Sequence, residues 1–405
     1  MTYKSPKPFW ALNKTNMAAN ITTDTYLMNI SLVPAVMLAN DDTGNDVMSG
    51  LHNRSCVSNT TEEYENFYTT AQYVTGLVIY PILCVVGITG NTLALIVLNH
   101  RHMATSTNVY LSALTVSETI KLFNDLMYFI MLALSFNHPD VSKTMVMTYY
   151  PMAHYIFNMA VCITAWLTVS VAMERYISVC HISRAKQLCT ISRARIICTT
   201  VYITMILLSL PSLFRYKVVS VYDAANNVSC NEIVLTELGA NNAFIVPYSW
   251  IQNSVRCIIP LVVLVYLNVR IINELRKERV KGKKLSSRNR ITLMLIIITL
   301  VFVVCIMPDA VMSTFFGKGY AEEGYRTKAI REITDSLLAV NSAITFMLYC
   351  LLSQTFRSTF IVIFCPQQQN VLFPARNGMH KAGPLLRRNS ADELDRNGYE
   401  KETVV

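Results

Sequence analysis

The chain has 405 residues, of which 52% are hydrophobic and only 15% are charged, whereas soluble domains average about 25% charged residues. This shortage of charge excludes an ordinary soluble domain. The net charge of +9 is unevenly placed, because Lys and Arg gather in two short segments between long apolar stretches.

Seven stretches are long and apolar enough to cross a bilayer. A helix needs about 20 apolar residues to span the hydrocarbon core, and it satisfies its own backbone hydrogen bonds there. The sequence therefore predicts an all-α membrane protein with a seven-transmembrane helix bundle. The predicted helices lie near residues 71–98, 106–136, 146–180, 194–214, 244–274, 289–316 and 331–353.

The limits of the predicted helices divide the chain into four regions. Residues 1–70 form a polar, glycosylated N-terminal tail, and residues 71–353 form the helix bundle. Residues 354–365 alternate apolar and polar groups, which predicts a short amphipathic eighth helix in the membrane interface. Residues 366–405 form a polar tail that we expect to be disordered.

Six Asn-X-Ser/Thr sequons lie outside the predicted helices. Five precede the first helix, and the sixth lies between the fourth and fifth, so an odd number of spans places all six on one side. Glycosylation occurs on the outer side of the membrane, which predicts an extracellular N-terminus and a cytoplasmic C-terminus. The sequon residues are Asn13, Asn20, Asn29, Asn53, Asn59 and Asn227.

Two basic segments support the same topology. Both lie on the side opposite the sequons, where cationic residues are retained during membrane insertion. The second segment could also contact membrane lipid headgroups or an acidic protein. The basic residues are Arg184, Lys186, Arg193 and Arg195 in the first segment, and the Lys and Arg residues of 276–290 in the second.

Two cysteines lie in the segments predicted to be outside, Cys56 and Cys230, and could form a disulfide in that oxidising space. Cys365 ends the predicted eighth helix and is either a palmitoylation site or an unmodified thiol.

Ionisable residues inside the spans are candidate functional groups, because an unpaired charge at a helix centre costs at least about 2.5 kcal/mol. In the second span, Glu118, Lys121 and Asp125 share one helix face, so Lys121 could lie between the two carboxylates. Such a group is either a ligand- or ion-linked ladder or a structural network. Asp125 is nearer the outside and is the better contact for a cationic ligand.

Other polar residues occur in the third, fifth, sixth and seventh spans. Arg256 and Asp309 could pair with each other, or each could meet a charge on a ligand. His154 has no second ligand one helical turn away, so it is a pocket or packing residue rather than a metal ligand. The sequence contains no nucleotide-binding loop, metal cluster or hydrolytic triad, which argues against an enzyme, a cofactor and a nucleic-acid partner.

The third span ends in Glu174-Arg175-Tyr176. This tripeptide at the end of the third of seven helices resembles the rhodopsin-like G-protein-coupled receptors. The segment that follows, 183–195, is similar to the second inner loop of neuropeptide receptors such as the FMRFamide and thyrotropin-releasing-hormone receptors. The other family landmarks are Gly90-Asn91, Pro211, Pro260, Pro308, Asn341 and Tyr349.

The resemblance implies roles for several side chains. Those implied to contact the ligand are Asp125, His154, Arg256, Asp309 and Asp335. Those implied to act in activation and G-protein coupling are Glu174, Arg175, Tyr176, Pro308 and Tyr349. A charge network would comprise Glu118, Lys121 and Asn341.

Several positions depart from the family pattern. Glu118 replaces the usual Asp, which changes the geometry of a sodium site there. Ile306 stands in place of a Trp, and Thr345-Phe346 in place of Asn-Pro. No Cys opens the third helix, so Cys230 lacks its usual partner in the family, and we hypothesise a bond to Cys56.

The C-terminal tail carries two short motifs. Ser390 follows Arg387-Arg388, which resembles a kinase site. The final residues Glu402-Thr403-Val404-Val405 resemble a ligand for a PDZ domain, with Thr403 and Val405 at the recognised positions.

The sequence thus predicts a plasma-membrane receptor for a neuropeptide that couples to a heterotrimeric G protein, with arrestin and a PDZ protein as further partners. One alternative is an atypical, constitutively active receptor without a conventional agonist. The other is an ion-coupled transporter that uses Glu118, Lys121 and Arg256.

Overall fold

The computed structural model describes residues 64–223, 228–280, 287–315 and 324–364. Within these ranges, seven helices are long and apolar enough to cross a membrane, which confirms the predicted seven-helix bundle. They are α1 (Glu65–Leu98), α2 (Ser106–Asn137), α3 (Pro139–Cys180), α4 (Ile191–Leu213), α5 (Asn242–Lys277), α6 (Ser287–Phe315) and α7 (Tyr325–Leu352).

Three helices begin six or seven residues earlier than hydropathy predicts. α1 starts at Glu65 rather than 71, α3 at Pro139 rather than 146, and α7 at Tyr325 rather than 331. Polar residues can continue a helix beyond the hydrocarbon core, because water then surrounds the extra turns. Pro139 lies in the first turn of α3, where its missing N–H is not needed.

Side-chain caps fix the starts of α2 and α4. The Thr105 side chain accepts a hydrogen bond from the Asn108 backbone N–H at 3.2 Å. Thr190 accepts one from the Arg193 N–H at 3.4 Å. Such caps pair backbone donors that the first helical turn leaves free.

A β-hairpin follows α4, in the segment between the fourth and fifth predicted spans. Strand β1 (Tyr216–Asp223) pairs antiparallel with β2 (Val228–Leu235), and Tyr216 lies opposite Leu235. Tyr216 and Ile233 are buried in one apolar cluster with Met131 of α2 and Val146 of α3. This packing places the hairpin at the end of the bundle where α3 begins, which we call the hairpin end.

The main core lies among α3, α5, α6 and α7. It is built from small and branched side chains, including Ala165, Leu264, Phe302 and Ile306. Many large apolar side chains instead face outward, such as Val262 and Val304 at 66% and 69% exposure. An apolar outer surface with buried polar groups is the pattern expected of helices surrounded by lipid.

Gly87 allows α1 to approach α7 closely. A Cβ atom at Gly87 would lie 2.9 Å from the Ala343 Cα and 2.5 Å from the Leu122 Cδ1. The Leu122 side chain can move, but the α7 backbone cannot without shifting the helix.

We therefore expect Gly87→Ala to lower the free energy of unfolding by about 1–3 kcal/mol through overpacking. The measurement is the thermal inactivation midpoint of the purified protein in detergent. Gly324→Ala is the matched control, since a Cβ there meets nothing within 4 Å. Equal midpoints for the two variants would show that α1 and α7 tolerate the methyl group.

An eighth helix, α8 (Gln354–Phe364), follows α7 at the end opposite the hairpin. Arg357 Nη1 donates to the backbone carbonyls of Cys350 at 3.2 Å and Leu351 at 2.8 Å. These contacts satisfy carbonyls that the last turn of α7 would leave free.

Several sequence predictions lie outside the described residues and stay predictions. They concern the tail 366–405 and the residues Asn13, Asn20, Asn29, Asn53, Cys56, Asn59, Asn227, Cys365, Ser390, Thr403 and Val405. Cys230 is in β2 opposite Val221, and its proposed bond to Cys56 is likewise untested.

Candidate functional site

A cavity of about 220 Å³ opens at the hairpin end of the bundle. Its wall is formed by side chains of α1, α2, α3, α5, α6 and α7, together with Arg215 beside the hairpin. Most of the wall is apolar or aromatic, with charges of both signs among the polar groups. The ionisable lining residues besides tyrosine are Asp125, His154, Arg215, Arg256, Arg331, Glu332 and Asp335.

Arg256 is the centre of a buried polar cluster that joins three helices. Its Nη1 donates to Asn158 Oδ1 of α3 at 2.8 Å, and its Nη2 lies 3.1 Å from Asp309 Oδ2 of α6. It also donates to Ser313 Oγ, which donates in turn to Asp309 Oδ1 at 3.2 Å. Of the two sequence alternatives for Arg256 and Asp309, the structure shows the mutual pair.

The backbone of α5 changes at this position. Ser254–Ile258 form a single turn of π-helix between the α-helical segments Asn242–Asn253 and Ile259–Val280. Such turns insert an extra residue and redirect the side chains on them, and they are frequent at functional sites. The π turn contains Arg256, whose guanidinium is turned into the bundle.

Asp309 differs from Arg256 in its access to the cavity. Its side chain is completely buried and is not part of the cavity wall, whereas Arg256 lines the wall. The Asp309 carboxylate thus lies behind Arg256 and binds it, and the prediction that Asp309 contacts the ligand stays a prediction.

Lys121 and Asp125 of α2 form a second buried ion pair. Lys121 Nζ lies 2.6 Å from Asp125 Oδ2, with both side chains almost inaccessible to solvent. Lys121 also lies 5.6 Å from the centre of the Phe157 ring, and the Arg256 guanidinium lies 5.9 Å from the same ring. Phe157 therefore contacts both cations through its π system.

The predicted placement of Lys121 between two carboxylates is not found. Glu118 Oε1 instead accepts a hydrogen bond from Thr345 Oγ1 of α7 at 3.0 Å. Asn341 takes part only through its backbone carbonyl, which Thr345 also approaches at 3.2 Å. Glu118 Oε2 is buried without a hydrogen-bond partner among the described residues. The predicted charge network is therefore divided into two separate contacts, Lys121 with Asp125 and Glu118 with Thr345.

Glu332 of α7 forms a third polar group that sequence reasoning missed. Its Oε1 accepts from the Tyr128 hydroxyl at 3.1 Å, and its Oε2 accepts from Thr75 Oγ1 at 3.4 Å. Gln72 Nε2 donates to the Tyr128 oxygen at 3.2 Å. This polar group could have been predicted from Arg331, Glu332 and Asp335, because three ionisable residues within about one turn of a predicted span are unusual.

His154 of α3 lies in the cavity wall and contacts the hairpin and Asn158 of its own helix. Its ring is edge-on to Tyr216 at 5.6 Å between centroids, and its Nε2 lies 3.4 Å from Asn158 Nδ2. It therefore connects the hairpin to the Arg256 cluster through Asn158. This placement agrees with the predicted pocket position.

Asp335 lies in the cavity wall one helical turn from Arg331. Its Oδ1 is buried and has no hydrogen-bond partner within the described ranges. Charged neighbours of both signs act on it: Lys121 and Arg331 are cationic, and Glu332 and Asp309 are anionic.

A separate ionic group lies at the end of α3 opposite the hairpin. Arg175 Nη2 lies 3.0 Å from Glu174 Oε1, and it also donates to Thr107 Oγ1 of α2. The same Glu174 oxygen accepts from Ser106 at 2.6 Å and from Thr107 at 3.1 Å. The group therefore holds the Arg175 guanidinium against α2.

Of the remaining predicted activation residues, Tyr176 and Tyr349 lie in this half of the bundle, and Pro308 lies in the other half. The Tyr176 ring packs edge-on against His181 at 5.3 Å and borders a cluster of α3, α5 and α6 residues. Tyr349 is fully buried, and its ring packs against Phe356 at 5.5 Å. Pro308 lies inside α6, directly before Asp309. Their positions are thus known, and their roles stay predictions.

Comparison with known proteins agrees with this architecture. Residues 90–351 match the model of the family described as 7 transmembrane receptor (rhodopsin family). The chain is 27% identical over 325 residues to sex peptide receptor-related protein 2 of Caenorhabditis elegans, covering 71% of this chain and 71% of that protein.

Two further relatives are similar at comparable levels. The FMRFamide receptor of Drosophila melanogaster is 22% identical over 350 residues, which is 80% of this chain and 61% of that receptor. The somatostatin receptor type 5 of Rattus norvegicus is 24% identical over 328 residues, with 78% and 83% covered.

Proposed function

Because the chain belongs to the rhodopsin family of seven-transmembrane receptors, we propose that it is a cell-surface receptor activated by a neuropeptide. By their names, two of these relatives are receptors for FMRFamide and somatostatin, and the third is a protein related to the sex peptide receptor, which supports a peptide agonist here. Ligand binding would bias a two-state helix bundle, and the bundle would activate a heterotrimeric G protein.

The cavity at the hairpin end is the observation that carries this proposal. It draws its wall from six of the seven spanning helices, so a ligand there contacts helices that must move relative to one another. Arg256 in that wall is bonded to α3 and α6, which makes the relative positions of those helices sensitive to the occupant.

The orientation in the membrane is part of the proposal. We place the hairpin end outside, because Asn227 and the five N-terminal sequons share that side. The basic residues Arg184, Lys186, Arg193 and Arg195 then face the cytoplasm, in agreement with the charge rule for insertion. Arrestin at the cytoplasmic face and a PDZ protein at Val405 are proposed as further partners.

The two alternative functions are less well supported. In a constitutively active receptor, Arg175 would be free to meet a partner, whereas here Glu174 and Thr107 hold it. A transporter would need exposed, exchangeable charges, yet Lys121 and Arg256 each have a buried carboxylate partner. Membership of a receptor family also argues against transport.

Peptide stimulation tests the proposal. Cells expressing the full chain with a promiscuous G protein should give a dose-dependent second-messenger response to at least one of FMRFamide, somatostatin and a panel of amidated neuropeptides. Cells expressing Arg175→Ala at equal surface density should give none, because the guanidinium is the charge we assign to G-protein coupling. High signalling that no peptide changes would favour the constitutive alternative.

A further inference from the structure

We propose that Phe157 of α3 is a positioning residue that couples two buried ion pairs through the π face of its ring. The pairs are Lys121–Asp125 within α2 and Arg256–Asp309 between α5 and α6. The inference deepens the proposed function, and the part of it that concerns signalling rests on that function.

The two ion pairs are separate from each other in the polar contacts of the bundle. Lys121 and Asp125 bind each other at 2.6 Å, and Arg256 binds Asp309 at 3.1 Å. Within the described residues, no hydrogen bond leads from either α2 residue to the Arg256 cluster. A contact that joins the pairs must therefore be made by a side chain other than a hydrogen-bonding one.

The Phe157 ring makes such a contact with both cations. The Lys121 ammonium lies 5.6 Å from the ring centre, and the Arg256 guanidinium lies 5.9 Å from it. Both distances are within the limit of about 6 Å at which a cation is attracted by the negative face of a ring. The attraction is stronger for a desolvated cation, and both of these side chains are buried.

Both cations have N–H groups that their hydrogen bonds leave unpaired. The Lys121 ammonium carries three, and within the described ranges it donates one hydrogen bond, to Asp125. The Arg256 Nε is buried and has no hydrogen-bond partner in the same part of the chain. A nearby ring face attracts such groups and lowers the cost of burying them.

The position of Phe157 in α3 connects this contact to the cavity. Phe157 lines the cavity wall, and it also packs against the main core of the bundle. The next residue, Asn158, accepts the hydrogen bond from Arg256 at 2.8 Å. A ligand that touches the ring therefore changes the surroundings of both ion pairs at once, and with them the contacts among α2, α3, α5 and α6.

The ring contact belongs to the arrangement of helices in which Arg175 is held by Glu174 and Thr107 at the opposite end. Weakening the contact is expected to destabilise that arrangement relative to the signalling one. Basal signalling should then rise as the attraction between the ring and the cations falls.

Fluorination of the ring tests the coupling without changing its shape. Fluorine withdraws electron density, so each added atom weakens the attraction for cations while the ring keeps nearly the same size. Phenylalanine with one, two or three ring fluorines is placed at position 157 of the full chain by amber suppression. We expect the thermal inactivation midpoint in detergent to fall stepwise, by at least about 4 °C with three fluorines.

Phe302 is the matched control position for the fluorine series. It is buried in the main core, and no cation lies over its ring in the described part of the chain. The midpoint should stay within about 1 °C across the same series at this position. Equal slopes at the two positions would show that fluorine acts on packing alone, which would overturn the inference and leave the proposed function untouched.

A second comparison shows whether both cations act on the ring. The double variant Lys121→Met, Asp125→Asn removes the α2 cation together with its carboxylate, so that no unpaired charge remains. The fall in midpoint with three fluorines should then be about half as large, because only Arg256 still contacts the ring. An unchanged fall would mean that Phe157 acts on one ion pair only, and the coupling would be wrong.

The signalling part is measured as ligand-independent nucleotide exchange on a G protein, normalised to receptor density. The rate should rise at least about 3-fold from phenylalanine to its trifluoro form at position 157. A stepwise fall in midpoint with a constant exchange rate would overturn the role of Phe157 in signalling. Exchange that neither any variant nor any peptide raises would instead overturn the proposed receptor function, while the thermal series would still report the coupling.

Discussion

Replacing Arg256 with Ala is expected to lower the free energy of unfolding by about 3–5 kcal/mol, enough to remove most of the receptor from the cell surface. The variant leaves the completely buried Asp309 side chain without the cation that it contacts. It also removes the hydrogen bond to Asn158 and the contact with Ser313, so α5 loses the polar contacts that Arg256 makes with α3 and α6.

The thermal inactivation midpoint in detergent and the surface density in cells both measure this effect. The double variant Arg256→Ala, Asp309→Asn should recover a large part of the loss, because removing both charges leaves no unpaired ion. Arg270→Ala on the same helix is the control, since Arg270 is exposed. Equal stability of Arg256→Ala and Arg270→Ala would contradict the central position of Arg256.

The seven spanning helices could be predicted because the thickness of the bilayer requires each of them to contain a long apolar segment, and such segments are visible in a single sequence. The starts of α1, α3 and α7 could not be predicted, since Glu65, Pro139 and Tyr325 begin helical turns in polar sequence. The hairpin was missed for a related reason. Its strands are only eight residues long and mix apolar with polar side chains without strict alternation, as in Val218-Val219-Ser220-Val221.

In the candidate site, contacts between residues close in sequence could be predicted, whereas contacts between residues far apart in sequence could not. Lys121 and Asp125 are four residues apart on one helix, so their contact follows from helical geometry. The partner of Glu118 is Thr345, more than two hundred residues away, and only the packing of α2 on α7 determines it. The Arg256–Asp309 pair could be named only as one of two options, because depth in the membrane does not give the rotation of a helix.

The second large effect is expected at the opposite end of the bundle, where Glu174→Gln should raise signalling in the absence of ligand. Glu174 Oε1 accepts three hydrogen bonds, from Ser106, Thr107 and Arg175, and so holds the Arg175 guanidinium against α2. A neutral amide keeps the size of the side chain but removes the charge that attracts Arg175. Weakening this contact by about 1.4 kcal/mol would shift the two-state equilibrium about tenfold toward the active state.

Ligand-independent nucleotide exchange on a G protein, measured in membranes and normalised to receptor density, reports this shift. Glu274→Gln is the matched control, because Glu274 forms only a surface ion pair with Lys277 at 3.3 Å, and such pairs contribute little. Adding Arg175→Ala to Glu174→Gln should abolish the raised signal, since the freed guanidinium is then absent. If the basal rate of Glu174→Gln equals that of the wild type, the contact of Arg175 with Glu174 and α2 does not set the level of ligand-independent signalling.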